Sequence, residues 1–305
     1  MNQDNKIITL LTDFGLKDVY VAVMKGVISQ INPRINIIDL THEIPPQNIA
    51  NGRFCLMNAY SYFSEGTVHV AVVDPGVGTQ RRAIAIQFNN NYLVGPDNGL
   101  LTGILEPFLT CEMEEINRNN LIAVELNHPE YWRTAKPSTT FQGRDIFASV
   151  GAHLASGVPL EQLGTIIDPK TLVRLSLPPC QVHDLKIQGC IQYIDGFGNL
   201  VTNIPRELVA DKNWYVAISK AKNKKSKKLN KKKQKKFKKN LNSQQQILSG
   251  SSYLIGTGQT YGDVPLGHFV ALVGSHGWVE IALNGGNAQR KLKVDWATKV
   301  QALFT

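Results

Sequence analysis

The sequence lacks the features that would announce a metal centre, a disulfide scaffold or a membrane span. Its 305 residues include four cysteines, Cys55, Cys111, Cys180 and Cys190, far apart and mostly in apolar contexts. No pair has C-x-x-C spacing, so neither a zinc site nor a disulfide framework is signalled, and buried free thiols are expected. The seven histidines are scattered, and no two have metal-ligand spacing. No apolar run approaches the ~20 residues that a spanning helix needs. The N-terminal Met1-Asn2-Gln3-Asp4-Asn5-Lys6 lacks the basic-then-apolar order of a signal peptide, so a cytoplasmic protein is expected. No G-x-G-x-x-G follows the first apolar segment and no Walker A is present, which argues against a dinucleotide fold and a P-loop. Asp13-Phe14-Gly15 has the form of the kinase metal-binding triplet. It lies too early, with no Gly-rich loop, strand lysine or H-R-D before it.

Acid is missing from one stretch altogether. Residues 220–239 hold thirteen of the 33 Lys and Arg and no Asp or Glu. The chain carries +9 overall; less those thirteen charges, the remainder carries −4, an ordinary mildly acidic body. The tract is low in complexity and repels itself, so it reads as a disordered insertion at about 220–245. Two readings of it stay open: a solvated loop, and a segment that contacts polyanions without sequence preference. Aromatic interleaving is absent, which favours the first.

The chain as a whole is 43% hydrophobic and long enough for two domains. Ile7–Thr12, Ile35–Leu40 and Thr67–Val73 read as buried strands. Val19–Ile31 and Asn48–Phe63 between them have helical spacing. Ala83–Phe88 and Tyr92–Val94 read as a hairpin. A short helix is expected to begin at Pro96–Leu100, and another to cover Asp145–Leu154. Strand–helix alternation predicts a largely parallel sheet with flanking helices, an α/β domain over 1–178. After Leu177-Pro178-Pro179 short strands separated by turns take over, predicting a smaller antiparallel, barrel-like β domain over 184–305.

In such sheets ligands bind beyond the carboxyl ends of the strands. Asp13, the His42–Pro46 loop and Asp74 all fall there. The most informative stretch is Val72-Val73-Asp74-Pro75-Gly76-Val77-Gly78-Thr79-Gln80-Arg81-Arg82. A buried strand runs into an acid, and two glycines let a ligand approach the backbone. Arg81, seven residues after Asp74, is placed to fold back on it. Alone this would be a turn with a surface ion pair; three polar loops at one crevice make a site.

Six segments together resemble a known family. Leu11-Thr12-Asp13-Phe14-Gly15, Asp74-Pro75-Gly76-Val77-Gly78-Thr79, Gly95-Pro96-Asp97-Asn98-Gly99-Leu100-Leu101, Thr140-Phe141-Gln142-Gly143-Arg144-Asp145, Asp195-Gly196-Phe197-Gly198-Asn199 and Gly274-Ser275-His276-Gly277 occur in the order and spacing of the S-adenosylmethionine hydroxide adenosyltransferases, relatives of the fluorinating and chlorinating adenosyl transferases. The resemblance covers nearly the whole chain except the lysine tract. It implies hydrolysis of S-adenosylmethionine to adenosine and methionine, with that molecule as substrate and no cofactor. It also implies a homotrimer, with sites between the α/β domain of one subunit and the β domain of the next.

By the same resemblance Asp74 and Arg81 handle the attacking water, and Gln142 stands where the family has a histidine. Glutamine can hold a water but cannot take a proton near neutral pH, so slower or differently pH-dependent hydrolysis is implied. Asp13 corresponds to the ribose-diol ligand, Asn199 to the adenine reader, and Phe197 to an aromatic wall. Asp195 should meet the methionine ammonium and Ser275 its carboxylate. His276 stands where the halogenating relatives have arginine. Phe141 and Asp18 are further substrate-binding candidates. An acid at 74, where the fluorinating relatives are aromatic, would repel a halide and favours hydroxide as nucleophile. The alternatives are an S-adenosylmethionine- or adenosine-binding protein impaired by Gln142, and a halide-using adenosyl transferase.

Overall fold

The computed structural model describes residues 6–110, 121–219, 245–248 and 252–304. The lysine tract and Cys111 lie outside the described residues, as does most of the insertion expected at about 220–245. The chain divides into two compact units, Met1–Leu175 and Ser176–Thr305.

The N-terminal unit begins β1 (Ile7–Thr12), α1 (Tyr20–Ile31), β2 (Asn36–Thr41), α2 (Ile49–Tyr60), β3 (Val68–Val72). A hairpin of β4 (Ala83–Phe88) and β5 (Asn91–Pro96) follows, then α3 (Thr102–Thr110), β6 (Leu121–Glu125), a π-helical turn (Gly143–Ala148) running into α4 (Ser149–Ala155), and β7 (Thr165–Ile167). The sheet order is β2-β1-β3-β5-β4-β6-β7. The first four strands run parallel, and the last three attach antiparallel. The sheet is the largely parallel one expected, made mixed by its antiparallel edge.

Its strands are apolar because both faces are covered. Ile8 and Leu10 of β1 pack with Met24 and Ile28 of α1 and Val150 of α4. Leu11 points the other way, into a cluster with Leu56 of α2 and Leu105 of α3. Burying each such side chain contributes about 1.5–3 kcal/mol. Because β2 and β3 flank β1 on opposite sides, right-handed crossovers put α1 and α2 on opposite faces. The order of strand addition reverses between β1 and β3, which puts a topological switch point at their carboxyl ends.

The short helix expected from Pro96 starts later, at Thr102. Pro96 completes β5, and Asp97 is held instead by Arg82 (2.9 and 2.6 Å) and the Val173 N–H (2.8 Å). Strands β6 and β7 were not anticipated.

The C-terminal unit is all antiparallel apart from one bridge: β8 (Gln181–His183), β9 (Lys186–Ile194), β10 (Leu200–Pro205), β11 (Trp214–Ser219), β12 (Gln245–Leu248), β13 (Ser252–Ile255), β14 (Phe269–Val273), β15 (Trp278–Leu283), the short α5 (Ala288–Leu292) and β16 (Lys299–Phe304). The order β12-β13-β11-β16-β9-β10-β15-β14 is nearly closed, because Gly256 and Gly258, just after β13, exchange backbone hydrogen bonds with Ala271 of β14. Apolar residues from all its long strands fill the interior. Strands β11 and β13 pair directly, Ser219 opposite Ser252, so the insertion follows one arm of a hairpin.

His69 on β3 is fully buried, with Nδ1 2.8 Å from Thr9 Oγ1 and its ring against Tyr60 and Phe63. Burial holds its pKa down at about 4, from the usual 6.5. Unfolded chain binds the proton first as pH falls. The stabilising contribution is therefore whole above pH 6.5 and declines down to about pH 4. Chemical denaturation across that window should show a loss of about 3 kcal/mol from this residue, and His69→Gln should remove that part of the slope.

Candidate functional site

The loop after β3 turns back on itself in two steps. Val77 N–H donates to Asp74 O and Thr79 N–H to Gly76 O, and the Thr79 hydroxyl reinforces the second turn at 2.7 Å. Arg81 is thereby returned to Asp74. Its Nε lies 3.0 Å from both carboxylate oxygens, and its Nη2 donates to Oδ2 as well. The same Nη2 donates to the Gln142 side-chain carbonyl. Only 6% of the Asp74 and 11% of the Arg81 side chain is exposed, so this ion pair is little screened. The guanidinium also lies over the Phe147 ring at 5.4 Å. Asp74, Arg81 and Gln142 are thus brought together, although Arg81 and Gln142 are 61 residues apart in sequence.

Gly78 sets the spacing of the two segments. Its φ is +79°, and a Cβ there would stand 2.8 Å from the Thr139 carbonyl oxygen. Only glycine permits that approach without strain. Gln142 sits at the N-terminus of the π-helical turn, whose Asp145 is fully buried and anchors the segment. Asp145 accepts from Arg144 (2.6 and 2.7 Å), the Ser138 N–H (2.8 Å) and Arg133 (2.5 Å). Burial alone would raise its pKa, but Arg144, the Ser138 amide and Arg133 together hold it well below the carboxylate range. Phe141 packs edge-on against Phe14 and Tyr20, with centroids 5.9 and 5.1 Å away, an apolar wall beside Gln142.

Asp13 follows β1 on the same sheet edge. Its Oδ2 accepts from the Gln47 N–H at 2.7 Å, leaving Oδ1 without a hydrogen bond among the described residues. Two groups from segments already singled out in the sequence brace this edge. His42 accepts the Gly15 N–H at its carbonyl and lies 2.8 Å from Thr12 Oγ1 at Nδ1. Asn98 donates to Val73 O at 2.8 Å, tying the end of β5 to that of β3. Asp18 is exposed on the loop before α1 and makes no side-chain hydrogen bond among the described residues.

In the C-terminal unit Asp195 and Asn199 form the turn between β9 and β10. Asp195 accepts from the N–H groups of Phe197 and Asn199 and from the Asn199 amide, at 2.8 to 2.9 Å. Gly198 has φ +84° and packs so closely on Asn287 that a side chain would collide. The turn projects Phe197, 80% exposed, away from the core. Ser275 lies in the β14–β15 turn. His276 folds back: Nδ1 accepts the Trp278 N–H at 3.1 Å, and Nε2 lies 3.0 Å from buried Glu280. Glu280 also accepts from the Tyr261 hydroxyl at 3.0 Å. Burial, then the Glu280 charge, push Tyr261 up to about 12. Among the described residues no three His, Cys, Asp or Glu side chains cluster as a metal site.

Gly78→Ala should combine left-handed strain of about 1–3 kcal/mol with a clash against Thr139. Urea unfolding should show a loss of at least that size, with activity falling as the Arg81–Gln142 contact opens.

Residues 8–164 match the family model described as the SAM hydroxide adenosyltransferase N-terminal domain, and residues 189–301 match its C-terminal domain. Among curated proteins, an (R)-S-adenosyl-L-methionine hydrolase of Salinispora arenicola is 41% identical over 66% of this chain and 76% of its own length. A protein of the same name from Salinispora tropica is 35% identical over 94% of each. Among solved structures, an uncharacterized conserved protein from Thermotoga maritima superposes with a TM-score of 0.77 at 32% identity, over 97% of this chain and 99% of that one. With both domain models matched in order across most of its length, the chain belongs to the SAM hydroxide adenosyltransferase family.

Proposed function

We propose that the protein hydrolyses S-adenosyl-L-methionine to adenosine and L-methionine. The observation that carries this reading is the convergence of Asp74, Arg81 and Gln142 at the β1–β3 switch point. Water or hydroxide attacks the ribose 5′ carbon. The C5′–S bond breaks with its electron pair going to sulfur, which leaves as the neutral thioether of methionine. A neutral leaving group needs no general acid, and no redox change or electrophilic metal enters the balance, so no cofactor is required. What the site must supply is an oriented nucleophile in a dry pocket.

Arg81 engages Asp74 and Gln142 through Nε and Nη2, and no described residue accepts from Nη1. That edge holds the nucleophile and stabilises its developing hydroxide character. Asp74 orients Arg81 and receives the proton as the O–C5′ bond forms. Gln142 contributes position alone: its carbonyl is committed to Arg81, and its NH₂ can donate to a water but not deprotonate it. Asp13 takes the ribose hydroxyls, Asn199 reads adenine, Phe197 covers the base, and Asp195 and Ser275 receive the amino-acid end. Phe141 walls the reaction centre, and Asp18 lies toward the methionine.

Buried Asp74 beside the nucleophile disfavours a halide, which supports hydroxide transfer over halogenation. The exposed Phe197 supports a homotrimer in which a neighbouring subunit covers it. The protein works in the cytoplasm; no helix among the described residues is long and apolar enough to cross a membrane. The lysine tract contacts polyanions at most weakly and takes no part in catalysis.

Purified protein incubated with S-adenosylmethionine should yield adenosine and methionine in equal amounts by chromatography, and Asp74→Asn should lower the rate by about 10²-fold or more. No adenosine above that variant, with tight binding retained, would support the binding-protein reading. A 5′-halo nucleoside that depends on added halide would support halogenation. Gln142→His should raise kcat by about tenfold or more and introduce an ionisation near neutral pH that the wild-type profile lacks.

A further inference from the structure

Of the six segments that carry the family resemblance, Gly95-Pro96-Asp97-Asn98-Gly99-Leu100-Leu101 has no part in the proposed chemistry. Its two polar residues each grip a neighbour of the Asp74–Arg81 pair. The Asp97 N–H donates to Arg82 O at 3.0 Å, one residue past the last β4–β5 pair, Ala83–Pro96. Its Oδ2 accepts from Arg82 Nε (2.9 Å) and Nη2 (2.6 Å), and its Oδ1 from the Val173 N–H (2.8 Å). Arg82 is held in turn by Thr171, at Oγ1 (3.1 Å) and at the carbonyl (2.7 Å). Only 2% of the Asp97 side chain is exposed, so this is a buried carboxylate with both oxygens occupied, a firm anchor for Arg82.

Asn98 grips the other end. Its Nδ2 donates to Val73 O at 2.8 Å, and its Oδ1 accepts the Leu100 N–H at 3.1 Å. The β3–β5 register ends at Val70–Val94, and the Asn98 side chain extends the connection as far as Val73. Val73 directly precedes Asp74, and Arg82 directly follows Arg81. Two consecutive residues therefore pin both ends of the loop that carries the pair. The hydrogen bonds between Arg81 and Asp74 fix those side chains to each other. They do not fix the pair relative to the sheet edge. In-line attack needs reacting atoms aligned at about 3–3.5 Å, so where the pair stands matters as much as its internal geometry.

We propose that Asp97 and Asn98 are positioning residues for the hydrolysis: together they hold the Asp74–Arg81 pair at the place on the sheet edge from which water reaches C5′. This inference rests on the hydrolase reading and adds to it two residues that act only through their neighbours, Asp97 through Arg82 and Asn98 through Val73.

The test compares wild type with Asn98→Asp, Asn98→Ala and Arg82→Lys by steady-state kinetics, calorimetric titration of adenosine and crystallography. Asn98→Asp keeps the acceptor for the Leu100 N–H and removes the donor to Val73; Asn98→Ala removes both. Each should lower kcat by about tenfold or more, the effect of moving the pair by a fraction of an ångström to about 1 Å. KM for S-adenosylmethionine and Kd for adenosine should stay within about twofold of wild type. A purely structural role would instead raise those constants as kcat falls. Arg82→Lys keeps a charge opposite Asp97 without the paired hydrogen bonds, and should show the same split with a smaller loss of kcat. In the crystal, Asn98→Ala should displace the Asp74 carboxylate relative to β1 and β3. Wild-type kcat in the folded Asn98 variants, parallel losses of kcat and affinity, or an unmoved Asp74 would overturn the inference. If neither Asn98 variant folds, Arg82→Lys decides by the same split. Absence of turnover by wild type would overturn the hydrolase reading instead, and the crystal structures would still decide whether Asn98 places the pair.

Discussion

One guanidinium organises the loop edge of the N-terminal sheet. Arg81 is nearly buried, and a buried cation is tolerable only with a close counter-charge and satisfied donors. Asp74 supplies the charge, Gln142 a further acceptor, and Phe147 an aromatic face. Each of these stands where it does for a separate reason. Asp74 ends a central strand, Arg81 is returned by two turns, and Gln142 heads a π-helical turn anchored by Asp145. Gly78 lets the two segments close to contact. Losing any one support leaves a buried charge that the others cannot compensate.

The sheet explains why chemistry collects at this edge. Parallel strands β1, β2, β3 and β5 end together, and their loops cross-link there through the Gly15–His42, Gln47–Asp13 and Asn98–Val73 hydrogen bonds. The antiparallel unit presents its residues differently. Its candidate groups stand on two tight turns, Asp195–Asn199 and Gly274–Gly277, set by the strand register and pinned by the Asp195 and His276 side chains. Both designs put polar groups on short loops carried by rigid strands.

Much of this was legible in the sequence. Strand β1 was marked by its unbroken apolar run, and the Asp74 loop by an acid, a proline and two glycines. The convergence of Gln142 on Arg81 followed from the family resemblance, not from periodicity. What escaped notice depended on contacts that no local pattern carries. Strand β6 (Leu121–Glu125) becomes a strand by pairing with β4, and β16 by lying between β9 and β11. The helix at Pro96 was displaced because Asp97 is claimed by Arg82. Glu280 is the one acid in the otherwise apolar strand β15. A lone acid between Val279 and Ile281 was in fact a signal, since such a carboxylate must find donors, and those turned out to be Tyr261 and His276. That partnership is also what turns His276 inward.

Glutamine at 142 distinguishes this site from one with a titrating third partner. It fixes Arg81 and cannot share a proton near neutral pH, which in the proposed hydrolysis leaves the burden to Asp74 and the field of Arg81. The central claim is that the oxygen delivered to C5′ comes from water held by that pair. Turnover of S-adenosylmethionine in water enriched in heavy oxygen, followed by mass spectrometry of both products, measures it directly. The account expects one heavy oxygen in adenosine, at the 5′ position, and none in methionine. Unlabelled adenosine, or label in methionine with cleavage elsewhere, would contradict it.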